Sequence, residues 1–361
     1  MTIIDSRRLD GFDVARAIAV FGMFVVHAFL ILGPPYWALV GIPHLLFNFC
    51  DGRAAATFVL LAGLGVGHLL ERVPECDRRY VLWRRSAFLG ALGVLNLAVW
   101  PGDILRLYGI ALFVAAFLFR LSARALGGIA LFLLVAFPTC AIFIDWDARW
   151  DWLTLTYSGL WTPSGFVLNL VIDGFRPLIP WLAFFVLGLV LARLNWRSPQ
   201  TSSRILCIGG ILFLVAESTS VILLALTKRG SLEAELGQET LSTLFGTHSM
   251  PPMPLFVLSA LGVGMICLGS GFILARILPQ TVRSALACTG RLALTWYLVH
   301  IMVLVAVATF NFGNRLSAWQ TLKIAVAAFI GIVIISRWRN GEPTVLERSL
   351  RRFSKPGGSV T

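Results

Sequence analysis

The feature that most restricts this chain is an apolar segment of about 20 residues, met ten times over. The segments fall at about 14–32, 46–70, 80–100, 104–120, 125–144, 177–193, 205–226, 254–277, 286–310 and 320–338. An α-helix rises about 1.5 Å per residue, so each matches a hydrocarbon core roughly 30 Å thick. That core offers no water to backbone N–H and C=O groups, so such segments cross it as helices. The expected architecture is an all-α polytopic membrane protein of about ten transmembrane helices, one domain over residues 1–361. The breaks carry turn chemistry: "GPP" at 33, "WPGD" at 100, "RSPQTSS" at 197 and "MPPMP" at 250. No tandem repeat and no internal two-fold symmetry is visible.

Composition agrees. A mean hydropathy of +0.83 and 58% hydrophobic residues exclude an ordinary soluble domain. Six cysteines, Cys50, Cys76, Cys140, Cys207, Cys267 and Cys288, are scattered without CxxC spacing or a His–Cys cluster. That pattern suggests neither a disulfide framework nor a metal site. The first apolar run is too long for a signal peptide and no A-x-A-like site follows it. The formal charge of +12 raises the question of nucleic acid. The arginines, however, sit in short loops between apolar runs, which is an orientation signal, and no RNA- or DNA-binding motif accompanies them.

With the N-terminus in the cytoplasm, 21 of the 30 Lys and Arg fall on the cytoplasmic side and seven outside. Arg16 and Arg53 lie at or within spans. The bias supports ten spans with both termini cytoplasmic and a short basic tail at 339–361. The longest outer loops, about 145–176 and 227–253, are rich in Trp, Asp and Glu. Two readings stand for them: an external lid or acceptor platform, or simple capping of the bundle. The segment "LWTPSGFVLNLVIDGF" at 160–175 reads as a half-helix that re-enters the membrane.

The first span carries unusual polarity. Asp13 and Arg16 stand at its cytoplasmic end and His27 about two-thirds of the way across. Arg16 and His27 are eleven positions apart, about 20° past three full turns, so they share a face about 16 Å apart. Alone, Arg16 can snorkel to headgroups and His27 can serve as an interhelical hydrogen bonder. Together on one face, with Asp13 one turn below, they suit a bundle interior or a water-filled cavity.

The Arg-x10-His pattern, with Asp three residues before the Arg, resembles the first helix of the transmembrane acyltransferase superfamily. That group includes the acyltransferase type 3 proteins and heparan-α-glucosaminide N-acetyltransferase; closer still are bacterial proteins catalogued as domain of unknown function 418. "DGRAAATFVLLAGLGVG" at 51–67 resembles the group's second-helix motif, and "GDILRLYGIALF" at 102–113 its Gly-Asp-Ile-Leu…Tyr motif. "RPLIPWLAFFVLGLVLAR" at 176–193 is similar to its Pro-Trp helix, "GRLALTWYLVH" at 290–300 to its Gly-Arg-x-Ala-Leu-Thr-x-Tyr helix, and "WRNGEPTVLERSLRR" at 338–352 to its tail. The motifs run in order over nearly the whole chain. Trp296 departs from the usual Asn, and Ala62 stands where type 3 relatives carry Ser.

The resemblance implies acyl transfer across a bacterial cytoplasmic (inner) membrane. Acyl-CoA, acetyl-CoA in the expected case, supplies the group from the cytoplasm. A hydroxyl or amine on an extracytoplasmic glycan, lipid or metabolite accepts it. CoA is a multiply charged anion, and Arg16 with Asp13, Arg84, Arg85 and Arg291 supply the cytoplasmic donor site. His27 is the expected general base, with an acyl-histidine intermediate as the other variant. Asp51, Arg53, Asp103, Tyr108, Arg176, Trp181, Glu217, Tyr297 and His300 are candidates for the acceptor or pocket. Each has a structural alternative: Asp51 and Arg53 as an ion pair, Asp103 as a helix cap, the mid-span Glu217, Tyr297 and His300 as satisfied neighbours. The glycines of "AGLGVG" at 62–67 read as close helix packing rather than a phosphate loop. No metal is expected; the expected partners are the bilayer, acyl-CoA and the acceptor, with a second copy of the chain left open.

A different class remains open. A ten-span bundle with buried His, Arg and Glu also suits a proton-coupled transporter or flippase. Slow acyl-CoA hydrolysis separates the two, since a transporter has no reason to perform it. A non-enzymatic scaffold would tolerate replacement of Arg16 and His27.

Overall fold

The computed structural model describes residues 9–152, 154–227, 232–312 and 316–356. The helices, in chain order, are α1 (Asp10–Leu32), α2 (Gly41–Cys50), α3 (Arg53–Arg72), α4 (Arg78–Leu97), α5 (Leu105–Leu118) and α6 (Ala123–Phe143). There follow α7 (Pro163–Leu168), α8 (Leu178–Leu191), α9 (Pro199–Thr227), α10 (Leu232–Leu236), α11 (Gln238–Phe245) and α12 (Pro254–Ile277). The last four are α13 (Gln280–Arg291), α14 (Ala293–Val307), α15 (Ala318–Trp338) and α16 (Val345–Phe353). One hairpin, β1 (Trp150–Asp151) with β2 (Thr156–Tyr157), pairs Trp150 with Tyr157 and Asp151 with Thr156, antiparallel.

Local sequence explains the ends. Ser122 caps α6 by accepting from Ala125 N, and Thr162 caps α7 with Pro163 in its first turn. Ser317 and Gln320 close a capping box on α15. Gly33 ends α1, and the two prolines after it cannot continue the helix.

Among the described residues, seven helical segments are long and apolar enough to cross a membrane, and the bent pair α7–α8 makes an eighth. The seven are α1, α2 with α3, α6, α9, α12, α14 with its π-helical end, and α15. Helices also stand at the other two expected positions. α5 has only 14 residues, about 21 Å of rise, and α4 carries Arg78, Arg79, Arg84 and Arg85. These two lie against each other through Gly90 and Gly109: a Cβ on Gly109 would stand 2.8 Å from the Gly90 Cα.

Three expected segments are subdivided. The 46–70 helix is α2 and α3, broken at Gly52, whose φ of +65° is a conformation glycine adopts without strain. The 286–310 helix is α13 and α14, broken at Leu292 (φ −102°, ψ 20°). The half-helix expected at 160–175 is α7 followed by a π-helical turn, Asn169–Asp173, and meets α8 at 53°.

The chain divides into two compact units, with four of the five divisions falling inside helices α3, α9, α12 and α16 and the fifth between α8 and α9. The first comprises 1–54, 195–210 and 264–348; the second comprises 55–194, 211–263 and 349–361. In the first, α1 is central. It is buried along most of its length and packs against α2, α13, α14 and α15. In the second, α4 packs on α5, and α8 on both α5 and α6. There α3 and α8 approach to backbone contact: a Cβ on Gly63 would overlap the Phe185 carbonyl, and one on Gly188 the Leu60 carbonyl. Close packing of small residues is what drives helices together in lipid.

Candidate functional site

In the first unit, α1 and α14 bring two histidines together. His27 and His300 are both buried, and His27 Nδ1 lies 2.7 Å from His300 Nε2. His300 Nδ1 lies 2.8 Å from the Trp296 carbonyl one turn earlier on α14. A carbonyl only accepts, so His300 carries its proton on Nδ1 and, when neutral, accepts at Nε2. His27 therefore donates from Nδ1, and the neutral imidazole keeps its lone pair on Nε2. Phe24 stacks on His300 at 4.5 Å between ring centroids, and Tyr297 meets it edge-on at 5.8 Å. His300 is thus held by a backbone acceptor, by the Phe24 face and by the Tyr297 ring. Chemically the two form a histidine pair whose tautomers are set by one backbone carbonyl.

At the N-terminal end of α1, Arg16 Nη1 bonds Asp13 Oδ1 at 2.7 Å; the carboxylate side chain is 2% exposed and the guanidinium 28%. The end of α13 closes on this turn, because Gly290 has no room for a Cβ against the Asp13 backbone. The next residue, Arg291, bonds Cys288 Sγ at 2.8 Å and reaches the Asn340 carbonyl at 3.4 Å. Its Nε is buried with no hydrogen-bond partner among the described residues. The sequence-expected Asp13, Arg16 and Arg291 thus converge where α1 meets α13. Arg53 is buried and donates to the Asn48 carbonyl at 2.7 Å, beside Asp51 at the α2–α3 break.

The second unit holds the other candidates. Arg84 and Arg85 are engaged by the tail: Arg84 Nε bonds the Phe353 carbonyl at 2.8 Å, its guanidinium covers the Phe353 ring at 3.8 Å, and Arg85 Nε bonds Ser354 Oγ at 3.3 Å. Asp103 acts as the cap its position suggests, accepting from Arg106 N at 2.9 Å and from Asn96 Nδ2 at 2.8 Å. Arg106 reaches Asn169 Oδ1 at 3.1 Å in the π-helical turn, a pairing the sequence reading missed. Tyr108 is buried on α5. Arg176 and Trp181 are brought together, with the guanidinium 4.7 Å from the indole ring. Glu217 accepts from Ser259 Oγ at 2.6 Å and Thr247 Oγ1 at 3.0 Å.

The segment between α6 and α8 is better built than its sequence announced. Asp173 is fully buried; it accepts from Tyr157 Oη at 2.9 Å and from Arg149 at 3.3 Å, and its carbonyl takes the Trp150 indole N–H. Burial, and then the Asp173 carboxylate, push the Tyr157 phenol well above its ordinary pKa. Trp152 stacks between Trp146 and Trp150, at 5.3 Å and 4.8 Å. Among the described residues no His, Cys, Asp and Glu group is arranged to hold a metal.

Comparison with known families decides the assignment. The family model described as heparan-alpha-glucosaminide N-acetyltransferase, catalytic, matches residues 8–210, more than half of the chain. The chain belongs to this family. It is accordingly an integral membrane protein of acetyltransferase type. No curated protein matches, and no solved structure matches. The family match covers Asp13, Arg16 and His27 but stops before Arg291 and His300. The partner that orients His27 therefore comes from a part of the chain the family match does not reach, and only the fold supplies it.

Proposed function

We propose that the chain transfers an acyl group, acetyl in the first instance, from cytoplasmic acyl-CoA to a hydroxyl or amine. The acceptor belongs to an extracytoplasmic glycan, lipid or metabolite, and the membrane is the bacterial inner membrane. In this reading ten helices cross, both termini are cytoplasmic, and the Lys and Arg bias is the support. The carrying observation is the His27–His300 contact, which fixes the tautomer of a buried histidine on the helix that also bears Arg16.

The acceptor's O–H or N–H gives its proton to His27 Nε2 as its oxygen or nitrogen attacks the thioester carbonyl. The tetrahedral intermediate collapses, the C–S bond breaks, and CoA leaves as its thiol after taking the proton from the imidazolium. Arg16 and Arg291 hold the anionic end of CoA, while Asp13 fixes the Arg16 side chain. His27 lies about 16 Å along α1 from Arg16, beyond reach of the same phosphates. Binding and chemistry therefore separate on one helix.

The test compares purified parent and His27→Gln in acyl-CoA binding and in single-turnover transfer or hydrolysis. Gln keeps a hydrogen bond but takes up no proton. A rate loss of about 10²–10⁴ with unchanged acyl-CoA affinity is expected. Parent-like transfer by His27→Gln would move the base elsewhere, to Glu217 or His300. Absence of any acyl-CoA turnover in the parent, with acyl-CoA bound no better than CoA-free buffer controls, would return the transporter reading.

A further inference from the structure

A second site lies in the second unit, and none of the residues assigned above lines it. The ends of α3, α4, α5 and α8 leave a cavity of about 180 Å³ lined by Gly67, Leu70, Glu71, Arg78, Phe119, Leu189, Ala192 and Arg193. A single water needs only about 10–15 Å³ by this measure, so the space admits a multi-atom group. Two guanidiniums face it. Arg78 Nε donates to the Val73 carbonyl at 3.2 Å and its guanidinium stands 5.9 Å from the Phe119 ring. Arg193 Nη2 donates to the carbonyls of Leu121 and Phe119, at 2.6 and 3.4 Å, at the end of α5. Among the described residues, the Arg78 Nη groups and Arg193 Nη1 have no acceptor. Glu71 also lines the cavity, and His68 Nδ1 bonds its carboxylate at 3.3 Å. The Arg78 fork and the Arg193 Nη1 group against one carboxylate favour an anion with several oxygens, such as a phosphate.

The surroundings favour a lipid as its bearer. The exposed faces of α4 and α5 carry Trp83, Phe113 and Phe117 in one cluster, with ring centroids 5.6 to 6.2 Å apart, and Arg79 lies over Phe117 at 6.0 Å. All three rings are more than 40% exposed. An exposed tryptophan among arginines marks the headgroup level of a bilayer, and Trp83 is such a residue. A soluble phosphate has no use for that apertured apolar wall; an acyl chain does.

We propose that this cavity binds the phosphoglycerol headgroup of an anionic phospholipid, held by Arg78 and Arg193, with the acyl chains on the Trp83–Phe113–Phe117 face. The site is separate from the acyl-transfer residues and stands whether or not that function holds. A choline headgroup would bring its own cation against two guanidiniums, so zwitterionic lipid is disfavoured.

The full chain, purified in detergent, is titrated with phosphatidylglycerol or phosphatidylcholine of the same acyl chains, and bound lipid is counted by native mass spectrometry. One phosphatidylglycerol bound at least ten-fold more tightly than phosphatidylcholine is expected. Arg78→Gln with Arg193→Gln should weaken it roughly ten- to hundred-fold, the scale of lost charge-assisted hydrogen bonds. Arg120→Gln, whose parent side chain pairs with Glu75 at 2.7 Å, should not. Should the double Gln variant misfold, Arg78→Lys with Arg193→Lys keeps the charge, loses the forks, and should give a several-fold loss. Parent-like phosphatidylglycerol binding by a folded double variant overturns the site. Displacement of the lipid by inorganic phosphate or acetyl-CoA overturns the lipid as occupant.

Discussion

His27 Nδ1 stands 2.7 Å from His300 Nε2, and His300 Nδ1 in turn stands 2.8 Å from the Trp296 carbonyl. The chain of acceptors runs one way, from His27 to His300 to backbone; under the proposed function this makes His300 a positioning residue for His27. His300→Ala should lower transfer about ten-fold or more, since each 1.36 kcal/mol of lost orientation is a factor of ten. His300→Gln can accept from His27 and donate to the carbonyl, and should recover much of that loss. A purely structural His300 would shift thermal stability without changing the rate of folded enzyme or its pH profile. Single-turnover rates across pH, read beside unfolding temperatures, distinguish the two.

Arg16 cannot be removed alone without consequence. Asp13 is buried and Arg16 partly so, and truncating the cation leaves a carboxylate short of its partner. Arg16→Ala should cost about 1–3 kcal/mol of stability, less than a fully buried pair because solvent reaches the guanidinium. It should also weaken acyl-CoA binding by roughly ten- to hundred-fold. Asp13→Asn with Arg16→Gln removes both charges and keeps a hydrogen bond. This double variant should regain stability but not acyl-CoA affinity. Equal recovery of both would assign Arg16 to the fold alone.

The helix that carries Arg16 and His27 was legible because eleven residues at 100° each define one face. The partner His300 was named as a mid-span polar residue, yet its pairing with His27 spans 273 positions and no local pattern encodes it. The cap at Asp103 was legible for the opposite reason, since its partner Arg106 N is three residues away. Arg84 and Arg85 were read as cations for CoA from their place on the cytoplasmic side; whether a cation faces a ligand or its own chain depends on where the tail folds back. The tail was read as short and basic, yet Glu347 within it is buried and accepts from the backbone and side chain of both Thr295 and Thr344. Its heptad-free, arginine-rich sequence hides that anchor. Of the glycines at 62–67 read as packing elements, Gly63 and Gly67 are such: a Cβ on either would overlap Phe185 or Ala192.

Gly63 offers a direct test of that packing. Any Cβ there would overlap the Phe185 carbonyl, which is backbone and cannot rotate away. Gly63→Ala should destabilise by about 1–3 kcal/mol, the range for overpacking. Gly210→Ala, where no atom lies within 4 Å of the new methyl, should be neutral or slightly stabilising in mid-helix. Unfolding of the two variants in one detergent gives the contrast. Equal stabilities would mean that α3 and α8 separate more readily than their contact suggests.

Topology can be read from one native thiol. Cys76 is exposed in the turn between α3 and α4, which the charge bias places in the cytoplasm. Ala148 is exposed in the loop between α6 and α7, which the same bias places outside. In a background with the other five cysteines replaced by Ala or Ser, an impermeant maleimide should leave Cys76 unlabelled in intact cells and label it in inverted vesicles. Cys76→Ser with Ala148→Cys should give the reverse pattern. The two sites are separated by α4, α5 and α6, so opposite sides require an odd number of crossings between them. If α4 and α5 cross as expected, three crossings satisfy this. If the short α5 and the arginine-bearing α4 both stay at the surface, α6 alone still satisfies it, and a third probe is needed between them. Ala98→Cys, at the end of α4, supplies it: labelling from outside in intact cells is expected if α4 crosses. Protection there, with labelling in inverted vesicles, would reduce the number of spans below ten and leave α4 and α5 as a hairpin on the cytoplasmic face.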